Sequence, residues 1–522
     1  AFAALAFDRA ATLFGQALEW SPLAPAQARA LMVRRAEALV YASRCAEAGA
    51  RYLEVANVAA PAVALELRRK AAEQYLISGH LDDGLRVLHP LLRELGLHYP
   101  DGDKGAVLQL LLGQARIRLR GLEFTPRLVS DPPAATLQLD TCWSVAKGLG
   151  FIDPLRAAIF AAENLRRSLA HGDPLRVARA LAHHALLDVN QGQPHQASRG
   201  AAQIARAHEL ALKTGDPQTI GTTTIMRGVA DLNAGRWRSA LVEVEAGVAI
   251  LAERCVGVTW ERSIARAMAM HALTMLGQFA DLGPRASAWL REANDLGDRF
   301  ASVVAGLYVG HARLAAGDLA GAREAVARAR SAWPREGFHF QHWLALSIEV
   351  ACDLYSGQGR AAWQRMQTIW PAVERSNLLR MQIPRIDTLM LRAGAAIAAA
   401  QNAPDRRKLL WAAGRDARAL ARESLAHAGA FASVIRAGIA VLTGDPLEAV
   451  RQLDRAEVVF AANDMPLHAA SVRWRRALIR RESSEQAEVE LRARGVAEPG
   501  AFVATLAPCA VTAVPGGDGR LS

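Results

Sequence analysis

His339 and His342 lie three residues apart in Phe338-His-Phe-Gln-His-Trp343, the densest aromatic cluster of the chain. On a helix, two histidines at that spacing share a face and can hold one metal ion. Zinc asks for three or four ligands, and Glu336, across the turn at Gly337, is the nearby third candidate. Packing at the start of a helix explains the same residues. Phe338, His339, Phe340, His342 and Trp343 are therefore carried forward as a speculative contact cluster, with no metal ligand assigned. His183-His184 sends its rings in different directions around a helix and reads as core or surface packing. Arg473, Arg475, Arg476, Arg480 and Arg481 surround Trp474, a set that could bind phosphate and stack a base. A solvated outer face on a terminal repeat accounts for them more simply. Gly357-Gln-Gly359-Arg-Ala-Ala362 has the letters of a dinucleotide fingerprint, but that motif needs a preceding strand and Leu344 to Tyr355 reads as a helix. No G-x-x-x-x-G-K-[ST] loop, H-E-x-x-H, G-x-S-x-G elbow, H-R-D or D-F-G occurs. No catalytic, cofactor-binding or metal residue is assigned.

The elements that would position any site follow a repeat. Seven glycines each precede, by five residues, a second and usually small residue: Gly79 with Gly84, Gly192 with Ala197, Gly235 with Ala240, Gly277 with Leu282, Gly317 with Ala322, Gly357 with Ala362 and Gly444 with Ala449. From Gly192 the intervals are 43, 42, 40 and 40 residues, then 87, which is two periods with a degenerate hinge near Asn402-Ala403-Pro404. A fixed period in this range marks stacked supersecondary units. Around Gly235, Thr222 to Asn233 reads as a first helix. The second carries Trp237, Ala240, Leu241, Val244, Val248 and Leu251 on one 3.6-residue stripe. Seven residues before the hinges stand Ala72, Ala185, Gly228, Met270, Gly310, Val350 and Ala437, mostly small enough for close helix contact. The pattern resembles the tetratricopeptide family, with a longer period. It predicts an all-α, right-handed α-solenoid of helical hairpins repeating every 40–45 residues.

Composition agrees. The chain of 522 residues is 51% hydrophobic but only 6% aromatic, so short apolar side chains dominate. Its net charge of +11 comes almost wholly from arginine, since Lys70, Lys104, Lys147, Lys213 and Lys408 are the only lysines among 62 basic residues. That skew fits codon usage in a GC-rich genome. The charge is spread along the chain, and nucleic acid is not favoured as a partner. Cys45, Cys142, Cys255, Cys352 and Cys509 are widely separated and odd in number, which suits a reducing cytoplasm. No apolar run reads as a membrane span, Ala393 to Ala400 coming closest. The start lacks a signal peptide and an initiator methionine, and Ala1 to Leu18 already reads as helical array, so a C-terminal piece of a longer protein is expected.

Along the chain we expect helical-hairpin repeats over 1–98 and a connecting segment over 99–135 with one amphipathic helix from Lys104 to Gly121. A tetratricopeptide-like array follows over 136–491, then a C-terminal segment over 492–522 whose tail, containing Pro515-Gly-Gly-Asp-Gly-Arg, is disordered. Asp131-Pro132-Pro133 breaks any helix at the second boundary.

Several phrases go beyond a generic repeat: Ala6-Phe-Asp-Arg-Ala-Ala-Thr-Leu-Phe14, Ala115-Arg-Ile-Arg-Leu-Arg-Gly-Leu122, Leu139-Asp-Thr-Cys-Trp-Ser-Val-Ala146, Gly172-Asp-Pro-Leu-Arg-Val-Ala-Arg-Ala180 and Glu253-Arg-Cys-Val-Gly-Val-Thr-Trp-Glu261. In this order they resemble the C-terminal helical region of large bacterial Ser/Thr protein kinases with a central AAA-type ATPase of the STAND class. The resemblance implies a non-catalytic regulatory or sensing arm, whose concave groove receives a protein or peptide, or the protein's own ATPase and kinase domains. ATP and Mg would belong to those upstream domains, with none in this segment. The resemblance thus implies that any enzymatic activity belongs to the parent protein, a Ser/Thr protein kinase, expected in the cytoplasm and away from membranes. The repeat arm of an ATPase-type transcription activator and a free-standing tetratricopeptide scaffold remain alternatives.

Overall fold

The computed structural model describes residues 6–127, 133–333, 337–401 and 403–508. The expectations placed on Ala1 to Leu5, Asp131-Pro132, Glu336, Asn402, Cys509 and the tail around Pro515 lie outside the described residues. Among those described, 25 α-helices and one short 3-10 turn occur, with no strand.

Local chemistry sets the hairpins. All seven hinge glycines adopt positive φ, from 67° at Gly277 to 84° at Gly444. Several turns, both within and between hairpins, spell Gly-Asp-Pro. At Gly172-Asp173-Pro174, Gly215-Asp216-Pro217 and Gly444-Asp445-Pro446 the glycine ends one helix in the left-handed region, the aspartate caps the next, and proline supplies its first residue. Asp216 Oδ2, for example, accepts from the Thr219 amide at 2.7 Å.

Helix faces then sort into two layers. First helices of the hairpins, such as Pro217–Asn233 and Thr259–Met275, are buried nearly all round. Second helices, such as Trp237–Arg254, bury one stripe (Trp237, Ala240, Val244, Gly247 and Leu251) and show water the rest. First helices form the inner wall and second helices the outer one. The helices of a pair approach closely at small residues. A Cβ on Gly228 would lie 2.6 Å from Val244 Cγ2; between adjacent hairpins, one on Gly359 would lie 2.5 Å from the Ala398 backbone carbon, so that glycine serves helix packing after the helix Phe340–Tyr355. At the Gly192 hinge this role falls to Gly200, whose Cβ would meet Val189 at 2.8 Å, while Ala197 is only half-buried.

Successive turns of the array also touch, which the repeat alone does not reveal. Phe300 N–H donates to Ser78 O at 3.1 Å, and Ala497 N–H donates to Ala315 O at 2.9 Å. Gln382 Nε2 and Ser424 Oγ both reach Gly192 O, from 190 and 232 residues away. Arg238 pairs with Asp464 across 226 residues. The chain thus winds so that the hinges at Gly79, Gly192, Gly235, Gly277 and Gly317 rest on hairpins about one superhelical turn later, whereas those at Gly357 and Gly444 are open. A Cβ on Gly192 would stand 2.1 Å from Gln382 Cδ, so that hinge is glycine both for its φ of 76° and for this approach.

Across 99–135 the hairpins on either side pack directly on each other. A Cβ on Gly148 would lie 2.7 Å from Leu76 Cβ, and one continuous core runs from Cys45 to Ala507. Helix Asp103–Arg120 rides at the edge of this core on helix Pro154–His171, with Ile117 in the core and Ala106 and Gly113 also against the neighbouring helix. Two expectations need correction. Ala426–Thr443, not Ala393 to Ala400, is the described helix long and apolar enough to cross a bilayer, and it is largely buried between neighbouring helices. The arginines around Trp474 form a solvated outer face only in part: Arg480 and Arg481 are exposed. Arg473 and Arg476 pair with Glu457, Glu490 and Asp454, and buried Arg475 donates from Nε to Ala507 O, because Glu485–Ala493 and Pro499–Leu506 fold back over them.

Candidate functional site

The inner helices of successive turns do not close completely on one another. Between them lies an open cavity of about 530 Å³. Its wall is mainly apolar. Met226 and Val229 come from one first helix, Trp260, Ile264 and Met268 from the next, and Phe340, Trp343 and Pro384 from the turn above. Helix Asp103–Arg120 supplies one edge through Val107, Leu110 and Leu111.

Polar groups are few and aimed inward. His183, His184 and His271 line the cavity, and burial holds all three imidazoles neutral, pushed down to about 4. His184 Nε2 accepts from Gln114 Nε2 at 3.0 Å, which ties the edge helix to the wall. His184 Nδ1 and His271 Nε2 have no hydrogen-bond partner among the described residues. His183 lies between Trp143, which it meets edge to face at 5.3 Å, and Trp260, tilted at 6.4 Å. Both rings of the His183-His184 pair thus reach the cavity. At the mouth, Arg385 is held by Glu423 at 2.6 Å, whereas exposed Arg380 has no ion pair among the described residues.

The aromatic cluster is divided by the fold. Phe340 and Trp343 face the cavity, and Trp343 Nε1 donates to Thr388 Oγ1 at 3.1 Å. Phe338 is buried beside His342, at a ring separation of 5.8 Å. His339 Nδ1 accepts from Trp333 Nε1, while the His339 amide donates to His342 Nδ1, each at 3.1 Å, closing the start of the helix. The Nδ1 atoms of both histidines are spent on structure. Groups of three or more metal-ligating side chains are absent among the described residues.

Five of the hinge glycines lie on the seams between turns, Gly357 and Gly444 being open; Gly192 closes over Gln382 next to the cavity residues Gln191 and Gln193. Behind the wall runs a buried ion network that the sequence does not announce. Lys147 Nζ sits 2.7 Å from Glu73 Oε1 and 3.7 Å from Glu261 Oε1, with Ser144 and Arg69 also on Glu73. The two cations hold Glu73 well below the usual carboxylate range, against its burial. Arg179 lies 4.3 Å over the Trp143 ring. One signal of an inner wall was present in the sequence: Trp260, Ile264, Met268 and His271 form a helical stripe beyond the one that contacts the partner helix.

No known family profile matches the chain, and no curated protein does either. Among solved structures the chain is similar to a Rap protein complexed with competence and sporulation factor, at 11% identity over 82% of this chain and 99% of that one, with a TM-score of 0.39. It is similar to the Rap conjugation gene regulator of the plasmid pLS20 in complex with the Phr* peptide, at 12% identity, 78% and 97% coverage and a TM-score of 0.42. It is also similar to yeast Tom70, at 12% identity, 96% and 95% coverage and a TM-score of 0.32. These likenesses are loose, and the site rests on its own geometry.

Proposed function

We propose that the chain is a binding module that holds a peptide, or an exposed segment of a partner protein, in the cavity between its superhelical turns. The cavity carries this reading. Its 530 Å³ falls in the range of roughly 300–1,000 Å³ typical of ligand sites, and its apolar wall bears a few convergent polar groups. None of those groups forms a nucleophile with an adjacent base, so binding fits better than turnover. The phrases that resemble bacterial Ser/Thr kinases with an AAA-type ATPase supply a setting in which binding would bias an upstream ATPase between two states, provided that the partner prefers one of them.

Panning a library of short random peptides on the full chain tests the site. Selected peptides should lose about tenfold or more in affinity for Ala158→Trp, whose indole enters the cavity from a half-buried position, while the melting temperature stays near that of the unaltered chain. Binders that ignore Ala158→Trp would overturn the assignment.

A further inference from the structure

Helix Asp103–Arg120 has no hairpin partner and packs on helix Pro154–His171 through Ala106, Gly113 and Ile117. On the opposite face, Leu108, Leu111, Leu112 and Leu119 are 59%, 62%, 49% and 89% exposed. Their offsets of 0, 3, 4 and 11 define one stripe along the helix. Four large leucines in a row on the surface are a patch of the kind that marks an interaction site. The stripe does not end at the helix: Leu111 belongs both to it and to the cavity edge, together with Val107 and Leu110.

The charges beside it have one sign. At about 100° per residue, Arg116 and Arg118 stand on either side of the stripe, and Lys104 is at its start. None of the three has an ion pair among the described residues, and neither does Arg380 at the cavity mouth. Of the acids at the ends of this helix, Asp103 is engaged by Arg156 at 3.7 Å and Glu123 by Arg206 at 3.1 Å, which leaves Asp101, just ahead of Lys104, against the four unpaired cations. At its other end the inner wall already accepts a short helix, because Pro499–Leu506 lies there with Phe502 against Phe279 at 5.6 Å.

We propose that the partner element is an acidic amphipathic helix of another protein, seated along Leu108, Leu111 and Leu112 with apolar side chains entering the cavity beside it. This rests on the cavity being the binding site and names what fills it. An apolar stripe met by leucines, with flanking carboxylates on Arg116, Arg118 and Arg380, is helix-in-groove recognition with charges setting the orientation. A second copy of the chain would bring the same cations against themselves. A flat lipid surface would cover the stripe and leave the concave cavity unfilled.

The probe is a synthetic peptide with leucines at i, i+3, i+4 and i+7 and glutamates on its polar face, measured by fluorescence anisotropy on the full chain. Two control peptides carry lysine for each glutamate, or two prolines that prevent a helix. The acidic peptide should bind about tenfold or more tightly than either control. Leu111→Glu/Leu112→Glu should abolish binding, and Arg116→Glu/Arg118→Glu should shift preference to the lysine peptide; all four residues are exposed, so folding is left intact. Equal binding of the controls, or indifference to the charge reversal, overturns this inference while Ala158→Trp still tests the cavity by itself. Anionic vesicles or a homodimer that depend on Leu111 and Leu112 would overturn it in favour of a membrane or a second copy.

Discussion

Gly277 and Gly444 occupy the same place in their hairpins, at φ values of 67° and 84°. Their surroundings differ. A Cβ on Gly277 would lie 2.4 Å from Leu467 Cβ on the following turn, whereas nothing lies within 4 Å of one on Gly444. Alanine at Gly444 should therefore cost only the left-handed backbone, about 1 kcal/mol. At Gly277 it should cost that plus the displacement of Leu467, whose Cβ is fixed to its own helix, for a total of about 2–4 kcal/mol. Urea unfolding of the two variants separates the terms, and equal losses would mean that the turns do not meet at Gly277. The need for glycine at a hinge is legible locally, since positive φ follows from where the helix must end. That Leu467 or Gln382 rests on a hinge is not, because it depends on how tightly the whole array winds.

At the scale of elements, hairpins and their stripes were legible because a 3.6-residue period is written in neighbouring residues. Trp237, Ala240, Val244 and Leu251 are all buried as that period requires. Lys147 gives no such signal. It looks like an ordinary lysine near the end of helix Pro133–Leu149, yet it is the cation that joins this helix to Pro61–Ile77 and Thr259–Met275 through Glu73 and Glu261. The cavity behind which it lies was hidden for the same reason: its wall draws on residues from Val107 to Arg385. Lys147→Met keeps the length of the side chain and removes the charge, leaving Glu261, 3% exposed, as a buried carboxylate without its cation. Breaking a buried pair from one side costs about 3–5 kcal/mol. Thermal unfolding should show such a loss, largely restored when Glu261→Gln is added. A variant as stable as the parent would mean that this network does not bind the three helices together.

At the scale of the whole molecule, contacts between turns change how the array should respond to stress. A solenoid whose units meet only their neighbours can fray from its ends. Here Ser78, Gly192, Ala315 and Asp464 each bond to a distant hairpin, so local opening breaks two sets of contacts at once. The inner wall is also where histidines are buried. Burial pushes His184, His271 and His468 down to about 4 and His427 to about 3, and His183 and His311 move the same way. An imidazole that stays neutral in the fold but takes a proton near pH 6.5 when unfolded penalises folding as pH falls through that range. Between pH 7 and pH 5 each of these imidazoles withdraws about 2 kcal/mol. Two carboxyls oppose this. Burial raises Asp298 to about 6 and Asp387 to about 7, so each holds its proton in the fold where the unfolded chain has lost it, and stability rises on acidification by about 1 and 2 kcal/mol. The histidines prevail by number. Net stability should fall by about 5 kcal/mol or more from pH 7 to pH 5, read as a lower urea midpoint with an unchanged slope. A midpoint that holds or rises over that interval would mean that these imidazoles are protonated in the fold, and that the inner wall is wetter than its packing implies.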